Sequence, residues 1–310
     1  MNIPSINPNF ETFLSNLQQI ENRMSTAEQQ LSSGLRVSVA SDDPDEISSI
    51  LQLRAQIAGV QQTQENLSTV TPQVESGENA IQQAIQVLDT ATSLATEASG
   101  STSSASQMAD EVPQVQGLLQ QLVSLSQTAV SGQYIFSGDM SGQPQYTLAV
   151  GGNSVQQMFQ AGAPPQVADS NGVMISIGLT AQQIFDDQVG GSPGTGNPAP
   201  DNVFAAVSGL LTALQAGNSA SVQTALSNIQ AASAHLNDES SFYGAAQNNL
   251  SAANNMASQT LIQLQQQLSN EQDADAAQSS LDLTQATTDE QAAMSAQAML
   301  KPQSLFDYLG

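Results

Sequence analysis

The N-terminal stretch of the chain repeats an apolar side chain at alternating steps of three and four residues. Its members are Ile3, Ile6, Phe10, Phe13, Leu17, Ile20, Met24, Ala27 and Leu31. This spacing places all of them on one stripe of a helix, the seam through which coiled-coil helices contact each other. Pro4 and Pro8 cannot lie inside a helix, so we expect it to begin near Asn7–Pro8. Because one such helix is marginal in water, the seam needs a partner.

The last part of the sequence carries a weaker stripe with the same period. It comprises Ala274, Ala277, Leu281, Thr284, Thr288, Ala292, Ser295 and Met299. Beyond Pro302, the residues Leu305, Phe306 and Leu309 have the spacing by which a helix fills a groove. The two stripes are predicted to associate with each other, with other copies, or with both. Two ordinary core helices of a bundle are the alternative interpretation.

The charge of the chain restricts the classes of partner. It has 310 residues, with 28 acidic against 4 basic side chains and a formal net charge of −24. Nucleic acids and anionic membranes are poor partners, because both require clustered Lys and Arg. The four cations are Arg23, Arg36, Arg54 and Lys301. Exposed acids keep copies apart, so assembly must depend on apolar and amide contacts.

Other classes of function are excluded by missing residue types. The chain has no Cys, so disulfides, Cys-based metal sites and thiol catalysis are not expected. No Sec signal peptide is recognised at the start of the sequence, and no run approaches the 18 apolar residues of a membrane span. If the protein is exported, we expect it to use a secretion system that recognises a signal other than a Sec signal peptide.

Turn and cap residues divide the rest of the chain. Gly34 suits a helix C-cap, and Asp43, Pro44 and Glu46 suit the N-cap, first position and capping box of a second helix reaching about Ala98. A calcium loop is the alternative for these acids, but the alternating ligands, central Gly and distal Glu are missing. A third helix is predicted to end at Gly132.

From Gly132 to about residue 200 the composition favours strands. Short strands are expected at Thr147–Val150 and Val155–Phe159, and Asn171-Gly172 is a hairpin-turn signal. The alternating residues Val173, Ile175, Ile177 and Leu179 indicate one buried sheet face. Gly190–Pro200 is expected to be a linker. A helix capped by Asp201 and a very long one starting near Ser219 or Ser221 follow. The predicted fold class is therefore mainly α, an elongated antiparallel helical rod built from both chain ends with a small inserted β domain.

Residues capable of acid–base or metal chemistry are few and scattered. His235 is the only histidine, and its helical pattern favours a helix-surface or bundle-edge role. Asp186 and Asp187 are adjacent, and so are expected to point apart, whereas acid–base catalysis needs converging groups. The sequence therefore predicts no enzyme, no cofactor and no metal site.

Several motifs together resemble the bacterial flagellin superfamily, and within it the hook-associated protein 3 family. The segment Leu31–Arg36 followed by Ser41–Pro44 resembles the N-terminal signature, and Gly132–Gly138 (GQYIFSG) resembles the exit from the helical domain of that family. Thr180–Phe185, Asn202–Gly217, Leu268–Asp275 and Gln303–Leu309 resemble the remaining pattern. The resemblance covers nearly the whole chain and is weakest in the β segment.

This resemblance implies an exported structural subunit at the hook–filament junction, with a flagellin-like fold. It implies a terminal coiled-coil assembly domain at 1–40 with 270–310, a helical rod at 41–138 with 202–269, and an inserted β domain at 139–201. The implied partners are copies of itself, neighbouring hook-associated protein and flagellin subunits, and a cytoplasmic export chaperone at the C-terminal helix. Terminal seams without partners would fold on assembly.

The assembly residues follow from the two seams and the closing anchors. They are Ile3, Ile6, Phe10, Phe13, Leu17, Ile20, Met24, Leu31, Leu281, Met299, Leu305, Phe306 and Leu309. Two alternatives stay open. One is the filament flagellin itself, and the other is a secreted acidic coiled-coil protein of the tip or translocator type.

Overall fold

A computed structural model describes residues 8–100, 104–189 and 197–299. Helices dominate these residues, which confirms the predicted mainly-α class. The helices are α1 Pro8–Ser33, α2 Ile47–Ala98, α3 Ala105–Ser126, α4 Ala181–Phe185, α5 Val203–Gln215, α6 Ser219–Gln272 and α7 Ala276–Met299. A short 3-10 turn spans Gly138–Met140. The start of α6 at Ser219 agrees with the sequence prediction.

The strands form antiparallel two-stranded hairpins between α3 and α5. The pairs are β1 Ala129–Val130 with β2 Gln133–Tyr134, β3 Tyr146–Leu148 with β4 Val155–Gln157, β5 Gln166–Ala168 with β6 Met174–Ser176, and β7 Gln188–Val189 with β8 Asn197–Pro198. In register, Tyr146 pairs with Gln157 and Val167 with Ile175. Since isolated hairpins are marginal in water, these strands depend on the helices for their stability.

The chain divides into two compact units. Unit 1 contains the residues up to Ala58 together with those from Thr260, and unit 2 contains Gly59–Gln259. The division into an assembly domain, a rod and an inserted β domain stays a prediction.

Unit 2 has a continuous hydrophobic core that the helices share with the hairpins. Helical side chains such as Leu88, Leu119 and Leu210 are fully buried in it. Phe185 stacks on Phe204 with ring centroids 5.5 Å apart, and Phe136 meets Phe185 edge-on at 5.9 Å. Such aromatic pairs add roughly 0.5–1.5 kcal/mol beyond their burial. The aromatic cluster therefore attaches the β segment to the helices.

Three predicted helix boundaries differ from those observed. Helix α2 begins at Ile47 and not at Pro44, although the Ile47 N–H donates to the Asp43 carbonyl at 3.2 Å, as expected for a residue at the helix entrance. Helix α3 ends at Ser126, since Ser131 (φ 53°) and Gly132 (φ 80°) form a two-residue hairpin turn between β1 and β2. The N-cap of α5 is Asn202, whose Oδ1 accepts the Ala205 N–H at 2.8 Å.

The predicted buried face at 173–179 is correct only in part. Gly172 adopts the positive φ of 81° that the predicted Asn171-Gly172 turn requires. Ile177 is buried, whereas Val173 is 60 % exposed, because the Asp169 carboxylate binds the Val173 N–H at 2.8 Å and holds the residue in the turn.

Two glycines within α2 should respond oppositely to alanine. At Gly77, an added Cβ would lie 2.4 Å from Cε1 of Tyr243, a buried ring whose hydroxyl accepts the Leu179 N–H at 3.2 Å. The clash outweighs the helix-propensity gain, so Gly77→Ala should lower the free energy of unfolding by about 1–2 kcal/mol. At Gly59 nothing lies within 4 Å of the added Cβ, and Gly59→Ala should raise it by about 0.5–1 kcal/mol.

Urea titrations of both variants measure this difference. Shifts of the same sign at the two positions would contradict the assigned packing of Tyr243 on Gly77.

Candidate assembly surface

Helices α1 and α7 pack along each other in unit 1. Ser279 Oγ donates to Gln30 Oε1 at 3.1 Å, and Arg23 pairs with Asp289 at 3.3 Å. Since higher numbers on one helix meet lower numbers on the other, the pair is antiparallel. The seam of α1 is turned inward, with Ile20 buried and Phe13, Leu17, Met24 partly buried. The two ends of one chain therefore provide each other with a partner.

The stripe predicted for the last helix does not face α1. The positions of α7 with reduced exposure include Ser279, Leu283, Ala286, Glu290, Ala293 and Gln297, again at steps of four and three. Hydrophobicity does not mark this face, because Ser279 and Ala286 are its most buried members. Small side chains allow close approach of two helices, and the recurrence of Ser279, Ala286 and Ala293 every seven residues was the signal available in the sequence.

The described members of the predicted assembly set fall into two groups. Phe13, Leu17, Ile20 and Met24 lie on the α1–α7 contact. The outward group keeps much of its surface exposed: Phe10 44 %, Leu31 38 %, Leu281 59 % and Met299 83 %. Ile3, Ile6, Leu305, Phe306 and Leu309 lie outside the described residues.

The end of α1 is fixed to the α6–α7 junction by main-chain hydrogen bonds. Gly34 ends α1 at φ 72°, as expected for a C-cap, and its N–H donates to Gln30 O at 2.8 Å. Arg36 N donates to Gln272 O at 2.7 Å, and Ala274 N donates to Gly34 O at 2.9 Å. Residues far apart in sequence thus form a short antiparallel bridge beside the two terminal helices.

Arg36 is the charged centre of this junction. Its guanidinium donates to Asp43 at 2.9 Å and to Glu46, and also reaches the Glu271 carbonyl. The hydrogen bonds that Arg36 donates to Asp43 and Glu46 raise the pKa of Arg36, and Arg36 in turn lowers the pKa of Asp43. Asp43 keeps the predicted capping role, because its Oδ1 accepts the Glu46 N–H at 3.4 Å, whereas the Glu46 carboxylate binds Arg36. A single arginine among neighbouring acids was the sequence signal for this ion-pair cluster.

Asp42 should make the adjacent loop sensitive to acid. Its carboxylate accepts the Val39 and Ser38 N–H groups, each at 2.9 Å, and these bonds lower its pKa below the ordinary 3.8. A depressed pKa contributes stability above the unfolded value, which is lost as pH falls through the folded value. The amide shifts of Ser38 and Val39 should therefore change with a midpoint below pH 3.8.

An NMR titration of these two amides measures the midpoint. Asp42→Ala provides the control, since it should remove the transition. A midpoint at or above 3.8 in the unaltered chain would contradict the assignment.

The acid–base candidates occupy structural positions in unit 2. His235 Nε2 lies 2.9 Å from Gln183 O, and its Nδ1 lies 4.0 Å from Glu239. Asp186 accepts hydrogen bonds from Tyr146 and Asn202. Within the described ranges, no cluster of three or more His, Cys, Asp or Glu residues could hold a metal ion.

The GQYIFSG segment joins α3 to the hairpins through buried contacts. Phe136 is fully buried, and its carbonyl accepts the Ala181 N–H at 2.7 Å. Ser137 Oγ donates to Gln143 O at 2.9 Å, and Gly138 has φ 59°, where an added Cβ would lie 3.2 Å from the Ala163 carbonyl oxygen. The segment thus connects the end of α3 to the start of α4.

In the part of the chain that the structure describes, no helix has both the length and the apolar character that a membrane span requires.

Comparison with protein families gives one match over the first part of the chain. Residues 6–141 match the bacterial flagellin N-terminal helical region. This range includes α1, the Arg36 junction, α2, α3 and the GQYIFSG segment. A search of curated proteins gave no match.

Solved structures share the fold over most of the chain. A flagellar hook-associated protein of Vibrio parahaemolyticus is 18 % identical, with a TM-score of 0.62, over 75 % of this chain and 100 % of that one. FlgL of Xanthomonas campestris is 17 % identical, with a TM-score of 0.58, over 70 % and 99 %. Hook-associated protein 3 of Legionella pneumophila is 15 % identical, with a TM-score of 0.59, over 71 % and 98 %.

These TM-scores show a common fold, and the family match covers α1 of the candidate surface but not α7. The two findings agree with the motifs of the sequence. The first part of the chain, residues 6–141, is therefore similar to the bacterial flagellin N-terminal helical region, and the chain has the fold of the hook-associated protein 3 structures.

Proposed function

We propose that this chain is a structural subunit of the bacterial flagellum, located at the junction between hook and filament. The observation that supports this proposal is the exposure of large apolar side chains on both terminal helices of a chain with a net charge of −24. These side chains are Phe10 and Leu31 on α1 and Leu281 and Met299 on α7. Exposed acids oppose association, whereas burial of a large apolar side chain contributes roughly 1.5–3 kcal/mol. Outward apolar positions on the terminal helices therefore supply the driving force for assembly.

The two groups of assembly residues have different tasks in this proposal. Phe13, Leu17, Ile20 and Met24 hold α1 on α7, which positions the pair. Phe10, Leu31, Leu281 and Met299 contact neighbouring subunits, together with Ile3, Ile6, Leu305, Phe306 and Leu309 of the undescribed ends. Neighbours are copies of this chain, other hook-associated protein subunits and flagellin. A cytoplasmic chaperone covers the C-terminal helix before export through the flagellar export apparatus.

Deletion of the coding region from the source bacterium tests the function. We expect hooks without filaments and flagellin shed into the medium. An antibody against residues 139–201 should label one band at the distal edge of the hook. Normal filaments in the deletion strain would contradict the junction role.

The same micrographs test a second candidate function, that of the filament flagellin itself. The match of residues 6–141 to the flagellin N-terminal helical region favours this candidate. Labelling along the whole filament would support that function. Loss of the protein from purified hooks and basal bodies would instead favour a tip or translocator component.

A further inference from the structure

Arg54, a cation on a strongly acidic chain, forms no ion pair with any residue the structure describes. Between Glu46 and Glu65 it is the only charged residue, so no acid lies three or four positions away on α2 to pair with it. Of the other cations in the described ranges, Arg23 pairs with Asp289 and Arg36 with Asp43 and Glu46. Arg54 is exposed and has no carboxylate within 4.0 Å among the residues described.

The surroundings of Arg54 are those of a helix-docking face. Leu51 is 57 % exposed, and Ala55 and Ala58 are exposed as well. Positions 51, 54, 55 and 58 share one side of a helix, at the spacing by which helix anchors enter a groove. We name these four residues the Arg54 face. It offers one large apolar side chain, one cation and two small residues.

A complementary set occurs on α1. Phe10 and Leu14 are each 44 % exposed, and Glu11, between them in sequence, is exposed. We name these three residues the Glu11 face. It offers two large apolar side chains and one carboxylate.

The two faces match when two helices run antiparallel. When Arg54 lies opposite Glu11, Leu51 lies opposite Leu14. This follows because Leu51 precedes Arg54 by three residues and Leu14 follows Glu11 by three residues, about 4.5 Å along each helix. Ala55 meets Phe10, so a small residue faces a large one, as helix packing requires. The cation thus meets a carboxylate while the apolar side chains on either side meet each other.

We propose that the Arg54 face of one copy docks antiparallel on the Glu11 face of a second copy. Charge complementarity identifies a second copy as the occupant, because the chain carries 28 acids and presents this acid between exposed apolar side chains. Two different surfaces meet, so the contact is heterologous and propagates into a ring or helical row. The proposal rests on the proposed function as an assembling subunit, and names the contact that this function uses.

Charge-swap variants in a deletion strain of the source bacterium test the contact. The readout is the protein retained in detached flagella, relative to the protein exported into the medium. Arg54→Glu and Glu11→Lys should each reduce retention at least roughly tenfold, since opposed like charges cost several kcal/mol, without reducing export. The retention of the double variant should recover to within roughly threefold of the wild type, because positions 54 and 11 again carry opposite charges, now exchanged between the two faces.

A matched pair separates the contact from the net charge. Arg54→Gln and Gln56→Glu each make the chain more negative by one, and both positions are exposed on α2. Only Arg54→Gln should lose retention. Equal losses in the two variants, single swaps that assemble like the wild type, or a double variant no better than the single ones would overturn the proposal.

Crosslinking tests the geometry directly, because the natural chain contains no cysteine. Leu14→Cys combined with Leu51→Cys should give a disulfide ladder beyond the dimer in oxidised flagella, since the opposed Cβ atoms then lie close together. Each single variant should stay monomeric. Dimers from Leu51→Cys alone, or no crosslink in a double variant that assembles, would overturn the heterologous contact. Wild-type protein that is never retained in flagella would reject the proposed function itself.

Discussion

Leu17→Asp should reduce incorporation into the flagellum at least roughly a hundredfold, a loss equivalent to about 2.7 kcal/mol of binding free energy. Leu17 is partly buried between α1 and α7. A carboxylate at this position must be desolvated without a partner, or α1 must leave α7. An unpacked helix of this length is marginal in water, so the outward residues of α1 would lose their positions.

Gln18→Asp provides the matched control, one position along the same helix. It adds the same negative charge at an exposed residue and should retain incorporation within roughly twofold, as surface substitutions usually change stability by less than 0.5 kcal/mol. Immunoblots of detached flagella measure both variants. Equal behaviour of the two variants would contradict the role of the α1 seam.

The fold of unit 2 should be unaffected by Leu17→Asp. The chain has no Trp, and three of its four tyrosines, Tyr134, Tyr146 and Tyr243, belong to unit 2, whereas Tyr308 lies outside the described residues. The near-UV circular dichroism of these tyrosines therefore reports on unit 2 and should match that of the wild type. A lost tyrosine signal would mean that the variant fails by global unfolding instead.

Strong periodicity in the sequence was a reliable guide, and weak periodicity was not. The α1 seam contains apolar residues at every step, all of them large except Ala27, and Ile20 and the neighbouring seam positions are turned inward as expected. In α7 the large residues Leu281 and Met299 are exposed, while Ser279 and Ala286 are buried. A helix face that mixes small and polar residues with a single Leu has little hydrophobic contrast, so its phase could not be read from hydrophobicity alone.

Local capping rules described only part of the start of α2, because Asp43 accepts the Glu46 N–H while Arg36 competes for the carboxylates. Asp43 and Glu46 have the spacing of a capping box, yet Arg36 binds both carboxylates. The junction also needs Gln272 and Ala274, more than 200 positions away in the sequence. Such contacts follow from tertiary structure, which a local pattern does not contain.

Asp186→Ala should lower the free energy of unfolding by about 2–4 kcal/mol, because two buried donors lose one acceptor. Asp186 Oδ2 accepts the Tyr146 hydroxyl at 2.8 Å, and Oδ1 accepts Asn202 Nδ2 at 2.7 Å. Tyr146 is 2 % exposed and Asn202 is 1 % exposed, so water cannot easily replace the lost partner. One carboxylate thus connects β3, the end of α4 and the N-cap of α5.

The raised pKa of Tyr146 agrees with its hydroxyl being the hydrogen-bond donor to Asp186. Burial, followed by the nearby charge of Asp186, raises the pKa of Tyr146 far above its ordinary value. The phenol therefore keeps its proton and donates throughout the physiological pH range. Asn202 uses Oδ1 to cap α5 and Nδ2 to reach Asp186, so loss of the carboxylate should also loosen the start of α5.

Asp187→Ala separates this network from a simple change of charge. It removes the adjacent acid, but retains the main-chain carbonyl that accepts Asn202 Nδ2 at 2.9 Å and the Ala199 N–H at 3.0 Å. Its unfolding free energy should stay within about 0.5 kcal/mol of the wild type, whereas Asp186→Ala should lower Tm by roughly 5–10 °C. Comparable shifts of Tm for the two variants would contradict this prediction. They would mean that the loss of a negative charge, and not the loss of hydrogen bonds to Tyr146 and Asn202, determines the change in stability. A large loss in Asp186→Ala alone would assign to the Asp186 carboxylate the structural role of joining strand β3 to helix α5.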